Sequence, residues 1–203
     1  GTPDGFGLTF LARHIYRLTD RYPKLRVQLV PVPRSFSLSQ READIAVMIG
    51  RPEKGRLMAR KLTDYTLGLY AAKSYLAKNT RPEQVSDIRN HKLVGYVEDL
   101  IFTPKLNYNA EFLSDWVSTL EISSAVGQFE VVRSGAGIGA LHDFMVRPED
   151  GLVRLFDDPT LTRTYWTVWH ESMSNTQRVR VVADFLDELA RENAALFCHD
   201  RLE

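Results

Sequence analysis

From Phe6 to Ile49 the period of the apolar residues changes twice, and this change constrains the fold more than any single motif. Phe6, Phe10, Leu11, Ile15, Leu18 and Tyr22 recur with the period of a helix that buries one face. Asp4 is placed to cap that helix and Pro23 to end it. Leu25, Val27 and Leu29 then alternate with Arg26 and Gln28, the pattern of a strand with one covered face. After the Pro31-Val32-Pro33 break and a short turn of helix from Ser35 to Arg41, Ala43 to Ile49 is almost wholly apolar, as in a strand buried on both faces of a parallel sheet. Helix, strand and buried strand in succession exclude an all-helical or all-sheet chain.

The rhythm continues. Strands are expected at Leu57 to Leu62, Tyr65 to Ala71, His91 to Val97, Leu120 to Ser123, Ile138 to Leu141, Leu152 to Phe156 and Tyr165 to Trp169. Helices are expected at Ser74 to Lys78, at Pro82 to Ile88, after a Ser123 or Ser124 cap with Val126, Phe129 and Val132 inward, and after Asn175 or Thr176. The last buries Val179, Val182, Phe185, Leu186 and Leu189. Residues 98 to 116 are irregular, and such a stretch often carries function. The alternation predicts α/β architecture with mixed, mostly parallel sheets. Tyr65 to Ala71 and Tyr165 to Trp169 are the candidate strands for crossing between two lobes.

At 203 residues the chain can bury a full core without disulfides or a structural metal. Lone Cys198 can form no internal bridge, which suits a reducing cytoplasm. Twenty-six basic residues balance 26 acidic ones, whereas a nucleic-acid domain carries a basic excess, so this chain alone is not expected to hold DNA. No apolar run reaches the length of a membrane span, and Gly1-Thr2-Pro3-Asp4 does not read as a signal peptide. The terminal Leu202-Glu203 resembles an expression-vector remnant.

Gly135-Ala136-Gly137-Ile138-Gly139-Ala140 matches the dinucleotide fingerprint in letters but in reversed context, with a helix before it and a strand after. A tight helix-to-strand turn that needs positive φ explains it better. His14, His91, His142, His170 and His199 have no second ligand at metal-binding spacing, so no metal or cofactor is expected. GxSxG, HExxH, phosphate-loop and CxxC patterns are absent, so the reading is not enzymatic. The stretches Thr2 to Gly5, Arg34 to Ser37 and Ser123 to Ser124 open helices, where free amides either accept an anion or are simply capped.

The segments taken in order resemble the effector-binding domain of the LysR-type transcriptional regulators. Phe6-Gly7 with Leu11-Ala12, Tyr22-Pro23, Arg41-Glu42-Ala43-Asp44-Ile45-Ala46-Val47 and Arg51-Pro52 carry the first part of the resemblance. Gly68-Leu69-Tyr70-Ala71, Tyr75-Leu76-Ala77, Leu93-Val94-Gly95-Tyr96, Gly135-Ala136-Gly137-Ile138, Arg178-Val179-Arg180 and Phe185-Leu186 carry the rest. The resemblance implies two lobes of the type 2 periplasmic-binding-protein kind, residues 1–68 with 167–203 and residues 69–166, with an effector in the cleft between them. It also implies an N-terminal winged helix-turn-helix and linker helix outside this chain, DNA binding through them, a cytoplasmic bacterial setting, and a homodimer or, at full length, a tetramer. In the dimer the first helix of one subunit would meet the Val126 to Ser134 helix of the other.

By the same resemblance the effector would touch Thr2, Pro3, Asp4, Gly5, Arg34, Ser35 and Phe36 from the first lobe and Tyr96, Glu98 and Ser124 from the second. Trp169 and His170 would lie near the hinge. Met48 stands where many relatives have arginine, Asp4-Gly5 where many have serine or threonine, and Leu141-His142 where Leu-Pro is frequent. The first two departures make the cleft less friendly to anions. A carboxylate effector and an aromatic or amphipathic one, suited to Phe36, Tyr96 and Phe102, both stay open. A periplasmic solute-binding protein of a transport system is the competing reading of the same fold.

Overall fold

The computed structural model describes residues 1–32, 42–101 and 106–198. The expected turn of helix from Ser35 to Arg41, together with Arg34, Phe36, Phe102 and His199, lies outside them. Among the described residues seven strands are hydrogen-bonded in the order β1-β7-β2-β5-β3-β4, with β6 paired to β2. They are β1 (Ala46–Ile49), β2 (Leu57–Ala72), β3 (Leu93–Gly95), β4 (Leu120–Glu121), β5 (Ile138–His142), β6 (Leu152–Arg154) and β7 (Leu161–His170). The helices are α1 (Tyr16–Arg21), α2 (Lys73–Leu76), α3 (Tyr108–Phe112), α4 (Ala125–Arg133), α5 (Gln177–Glu192) and α6 (Ala194–Phe197). The chain divides into two compact units, Gly1–Tyr65 with Arg163–Glu203, and Thr66–Thr162. It passes between them within β2 and near the start of β7.

In the first unit β1 runs antiparallel to β7, with Ala46 opposite Val168 and Ile49 opposite Tyr165. Gly1 lies along the other side of β1 in the parallel sense, donating to Ile45 O at 2.9 Å and accepting from Val47 N at 2.8 Å. Thr2 forms one parallel bridge to Pro31. The strand expected at Leu25 to Leu29 therefore does not form. Leu25 to Leu29 keep the alternation of half-buried and exposed positions, but among the described residues the parallel bridge falls beyond them, at Pro31.

The helix expected from Phe6 to Tyr22 is broken into a π-helical stretch, Gly5–Phe10, a 3-10 turn, Leu11–Arg13, and α1. The break sits where side chains take the carbonyls: Thr9 Oγ1 donates to Gly5 O at 2.6 Å, and His14 Nδ1 lies 2.9 Å from Phe10 O. Asp4 makes no cap bond there, because it is itself helical, at φ −59° and ψ −44°. Phe6 and Phe10 still face inward, Phe6 against Tyr165 at 5.0 Å and Phe10 against Phe197 at 4.8 Å between ring centres. Tyr65 stacks on Tyr165 at 4.1 Å, so aromatic rings from β2, β7, the first helical stretch and α6 share one core. On the same unit, α5 buries Val179, Ala183, Phe185, Leu186, Leu189 and Ala190, while Val182 is half-buried. Thr176 holds the N-cap position of α5 without a side-chain cap bond, its hydroxyl donating to Met173 Sδ at 3.9 Å, and Asn175 Oδ1 accepts from Arg180.

The two strands expected at Leu57 to Leu62 and Tyr65 to Ala71 are one strand, β2. The polar Thr63-Asp64 step does not interrupt it, since the Asp64 carboxylate receives Thr164 Oγ1 at 2.6 Å and Lys61 Nζ at 2.7 Å. In the second unit β2 is antiparallel to β5 and to β6, and β3 is parallel to β5 and to β4. The sheet is mixed, as the sequence predicts, but the described ladders are not mostly parallel. Strands that carry the chain into and out of a unit run against those that build it.

Ser124 caps α4 by accepting from Gly127 N at 3.1 Å. The helix expected at Pro82 to Ile88 is instead a 3-10 stretch, Val85–Asn90, held at its start by Gln84 and Asp87. Gly135 ends the turn after α4 at φ +85°, a left-handed conformation that favours glycine. A Cβ on Gly137 would strike Lys92 O, and one on Gly139 would come within 2.7 Å of Val132 Cγ2. Protein atoms occupy the space a pyrophosphate would need, so the glycine series is a packing device.

Candidate functional site

Two groups of the expected contact residues stand at the C-terminal ends of parallel strands, the place where open α/β sheets bind ligands. In the first unit Gly1 and Thr2 run alongside β1 in its direction, and the chain then turns at Pro3 into the first helical stretch. Thr2, Asp4 and Gly5 are buried and Pro3 is half-buried. Thr2 fits because Gly7, facing it, has no side chain: a Cβ there would collide with Thr2 Oγ1. That hydroxyl oxygen is itself buried with no hydrogen-bond partner among the described residues. A buried hydroxyl left unmatched is costly, which marks the position as one suited to a donor or acceptor from a ligand.

In the second unit, parallel pairing sets Gly95 of β3 opposite Glu121 of β4, so Tyr96 and Ser124 emerge at the same edge. Ile122 N donating to Gly95 O at 3.0 Å extends that register toward Ser124. Ser124 serves the α4 cap, and buried Gln128 reinforces the turn by donating to Ile122 O at 3.0 Å. Tyr96 is half-buried, and Glu98 is exposed at the first position of the short helical turn Glu98–Leu100.

Two residues not singled out from the sequence belong to this edge. A Cβ on Gly95 would collide with Ser118 Oγ and Asn109 Nδ2, so both polar groups close over the end of β3. Ser118 is held by Trp116 Nε1 at 3.1 Å. Asn109 comes from the irregular stretch 98–116 and Ser118 from just beyond it, and their convergence depends on a tertiary path that leaves no local pattern.

Trp169 and His170 do not join either group. Strand β7 leaves the crossing at Arg163 and reaches His170 seven residues on, about 23 Å along an extended strand. That is the end of β1 opposite to the one toward which Thr2 and Pro3 run, so the expected place near the hinge is not where the strand direction carries them. Their polar atoms are engaged locally: Trp169 Nε1 donates to Ser174 Oγ at 3.2 Å, and His170 Nδ1 caps the Glu171–Met173 turn by accepting from Ser172 N at 3.3 Å. The Trp169 ring packs on Val179 and Ala183, with the Arg60 guanidinium 5.5 Å away. Arg34, Ser35 and Phe36 lie outside the described residues.

At the end of β5, His142 is buried with its ring edge-on to Tyr108 at 5.8 Å and to Phe144 at 5.5 Å. Beside it Asp143 Oδ1 receives Tyr70 OH and Arg154 Nη1, both at 2.5 Å. Burial, with the Asp143 charge second, pushes the Tyr70 phenol well above its usual range, so it remains a donor.

Comparison with known proteins places this geometry. The profile of the LysR substrate binding domain matches residues 1–191. The HTH-type transcriptional regulator CrgA of Neisseria meningitidis serogroup C is 28% identical over 188 residues, 89% of this chain and 62% of that protein. The HTH-type transcriptional activator TtdR of Escherichia coli is 28% identical, covering 100% of this chain and 64% of its own length. The chain thus spans less than two thirds of these relatives. The solved regulatory domain of CrgA superposes with a TM-score of 0.82 at 28% identity, over 92% of this chain and 95% of that one. With the whole path from the first helical stretch into α5 matched, the chain belongs to the LysR substrate-binding domain family.

Proposed function

We propose that this chain is the effector-sensing part of a LysR-type transcriptional regulator working in the bacterial cytoplasm, with no catalysis of its own. The observation that carries the reading is the family match along residues 1–191, and the relatives reported above are helix-turn-helix regulators. That favours a switch over the transport receptor considered from the sequence. DNA would be held by a separate N-terminal domain, consistent with the neutral charge of this one. The two units act as the two lobes. A small molecule is held by Thr2, Pro3, Asp4, Gly5, Arg34, Ser35 and Phe36 on one side and by Tyr96, Glu98 and Ser124 on the other. Binding that favours one arrangement of the lobes shifts the population of the regulator.

Subunits pair through the first helical stretch and α1, where Leu8 and Tyr16 respectively are 48% and 59% exposed, against α4 of a second copy. Sedimentation should then show a dimer, and a strict monomer at high concentration refutes the pairing. For the effector, thermal unfolding is followed against small carboxylates, aromatic acids, amino acids and sugars. A saturable upward shift that Thr2→Val and Tyr96→Ala both reduce supports the reading. A shift that neither variant alters places the ligand elsewhere.

A further inference from the structure

We propose that the Arg154 guanidinium is a latch that holds, inside the second unit, both the segment by which the chain enters it and the segment by which it leaves. The crossings lie between Tyr65 and Thr66 and between Thr162 and Arg163. Gly68 is close to the first and Thr160 to the second. Arg154 occupies the volume a side chain at Gly68 would need: an ideal Cβ there would lie 2.6 Å from Cζ, 2.7 Å from Nη1 and 2.9 Å from Nη2. From that seat Nε donates to Phe156 O at 3.0 Å, Nη2 to Thr160 Oγ1 at 2.6 Å and Nη1 to Asp143 Oδ1 at 2.5 Å. Thr160 Oγ1 in turn donates to Asp157 O at 2.7 Å, closing the turn before β7.

One planar fork thus gathers β2, the end of β5 and the 156–160 turn. A lysine ammonium, a single point of charge, cannot hold three partners in those directions. The pair is buried, with side-chain exposures of 9% for Arg154 and 3% for Asp143. It is incompletely matched, since Asp143 Oδ1 takes both Tyr70 and Arg154 while the buried Oδ2 has no partner among the described residues. Such a site is held by geometry and opens as a unit when the fork is displaced. Opening frees the inner ends of both connecting strands together and leaves β3, β4 and α4 in place.

Hydrogen–deuterium exchange of the 203-residue chain tests this. Arg154→Lys and Gly68→Ala reach the latch from opposite sides. In each, amides in residues 66–70 and 155–162 should exchange about tenfold faster in step, with α4 and α5 unchanged. Unchanged exchange, acceleration of one segment without the other, or a uniform rise across the second unit overturns the proposal. Should either variant fail to fold, Tyr70→Phe removes one donor from Asp143 and leaves the fork intact. A smaller rise shared by both segments then supports the latch, and a rise in one alone, or in neither, refutes it.

Discussion

Gly139 shows how much a single position decides. Its missing Cβ lets Val132 of α4 approach β5, so Gly139→Ala forces a methyl to within 2.7 Å of Val132 Cγ2. The expected loss is about 1–3 kcal/mol by overpacking, read as a lower urea midpoint. Val132→Ala in the same chain should return part of it, and a strictly additive double variant would show that the two do not share the space. His91 sets a pH dependence. Burial pushes its imidazole below the usual range, with Asp87 acting the other way, and Tyr75 OH lies 3.2 Å from Nδ1. The folded state then binds fewer protons than the unfolded chain below about pH 6.5, so this stabilisation is present above that pH and is lost as pH falls. The urea midpoint should drop between about pH 7.5 and 5.5, and His91→Asn should remove that share of the drop.

At the scale of elements, periodicity reported the helices that pack against a sheet and misread those interrupted by side chains. The α5 stripe was legible because one face of a long amphipathic helix repeats regularly. The first helical stretch was not, because Thr9 and His14 compete for carbonyls that a regular helix would use. In the sequence the polar Thr63-Asp64 step separates two apolar runs, whereas β2 is continuous because Asp64 finds its partner Thr164 a hundred residues away in the chain. The cap of α4 was legible, since Ser124 and Gly127 are local to each other. Ser124→Ala should cost about 1 kcal/mol of stability, seen as a fall in thermal midpoint without ligand. The ion pairs of Arg17 with Glu192 and Arg21 with Glu188 are well exposed and screened by water, so Arg17→Ala should leave the urea midpoint essentially unchanged.

For the whole molecule, the first unit is built from both ends of the chain, so its core depends on α5 returning to the strands laid down first. Leu189, 1% exposed in α5, is part of that closure. Leu189→Ala should lower stability by about 2–5 kcal/mol, followed through Trp166 and Trp169 fluorescence, both in the same unit. An effect under about 0.5 kcal/mol would mean that α5 contributes little to that core. The α/β alternation, the buried stripe of α5, a serine cap for α4 and the glycine turn follow from the sequence itself, because each rests on residues a few positions apart. Strand direction, the single span of β2, the placing of Trp169 and His170 away from the crossing, and the meeting of Asn109 and Ser118 over Gly95 were decided only by tertiary structure. Each depends on which distant segment supplies a hydrogen-bond partner or fills a volume, and local pattern carries no record of that.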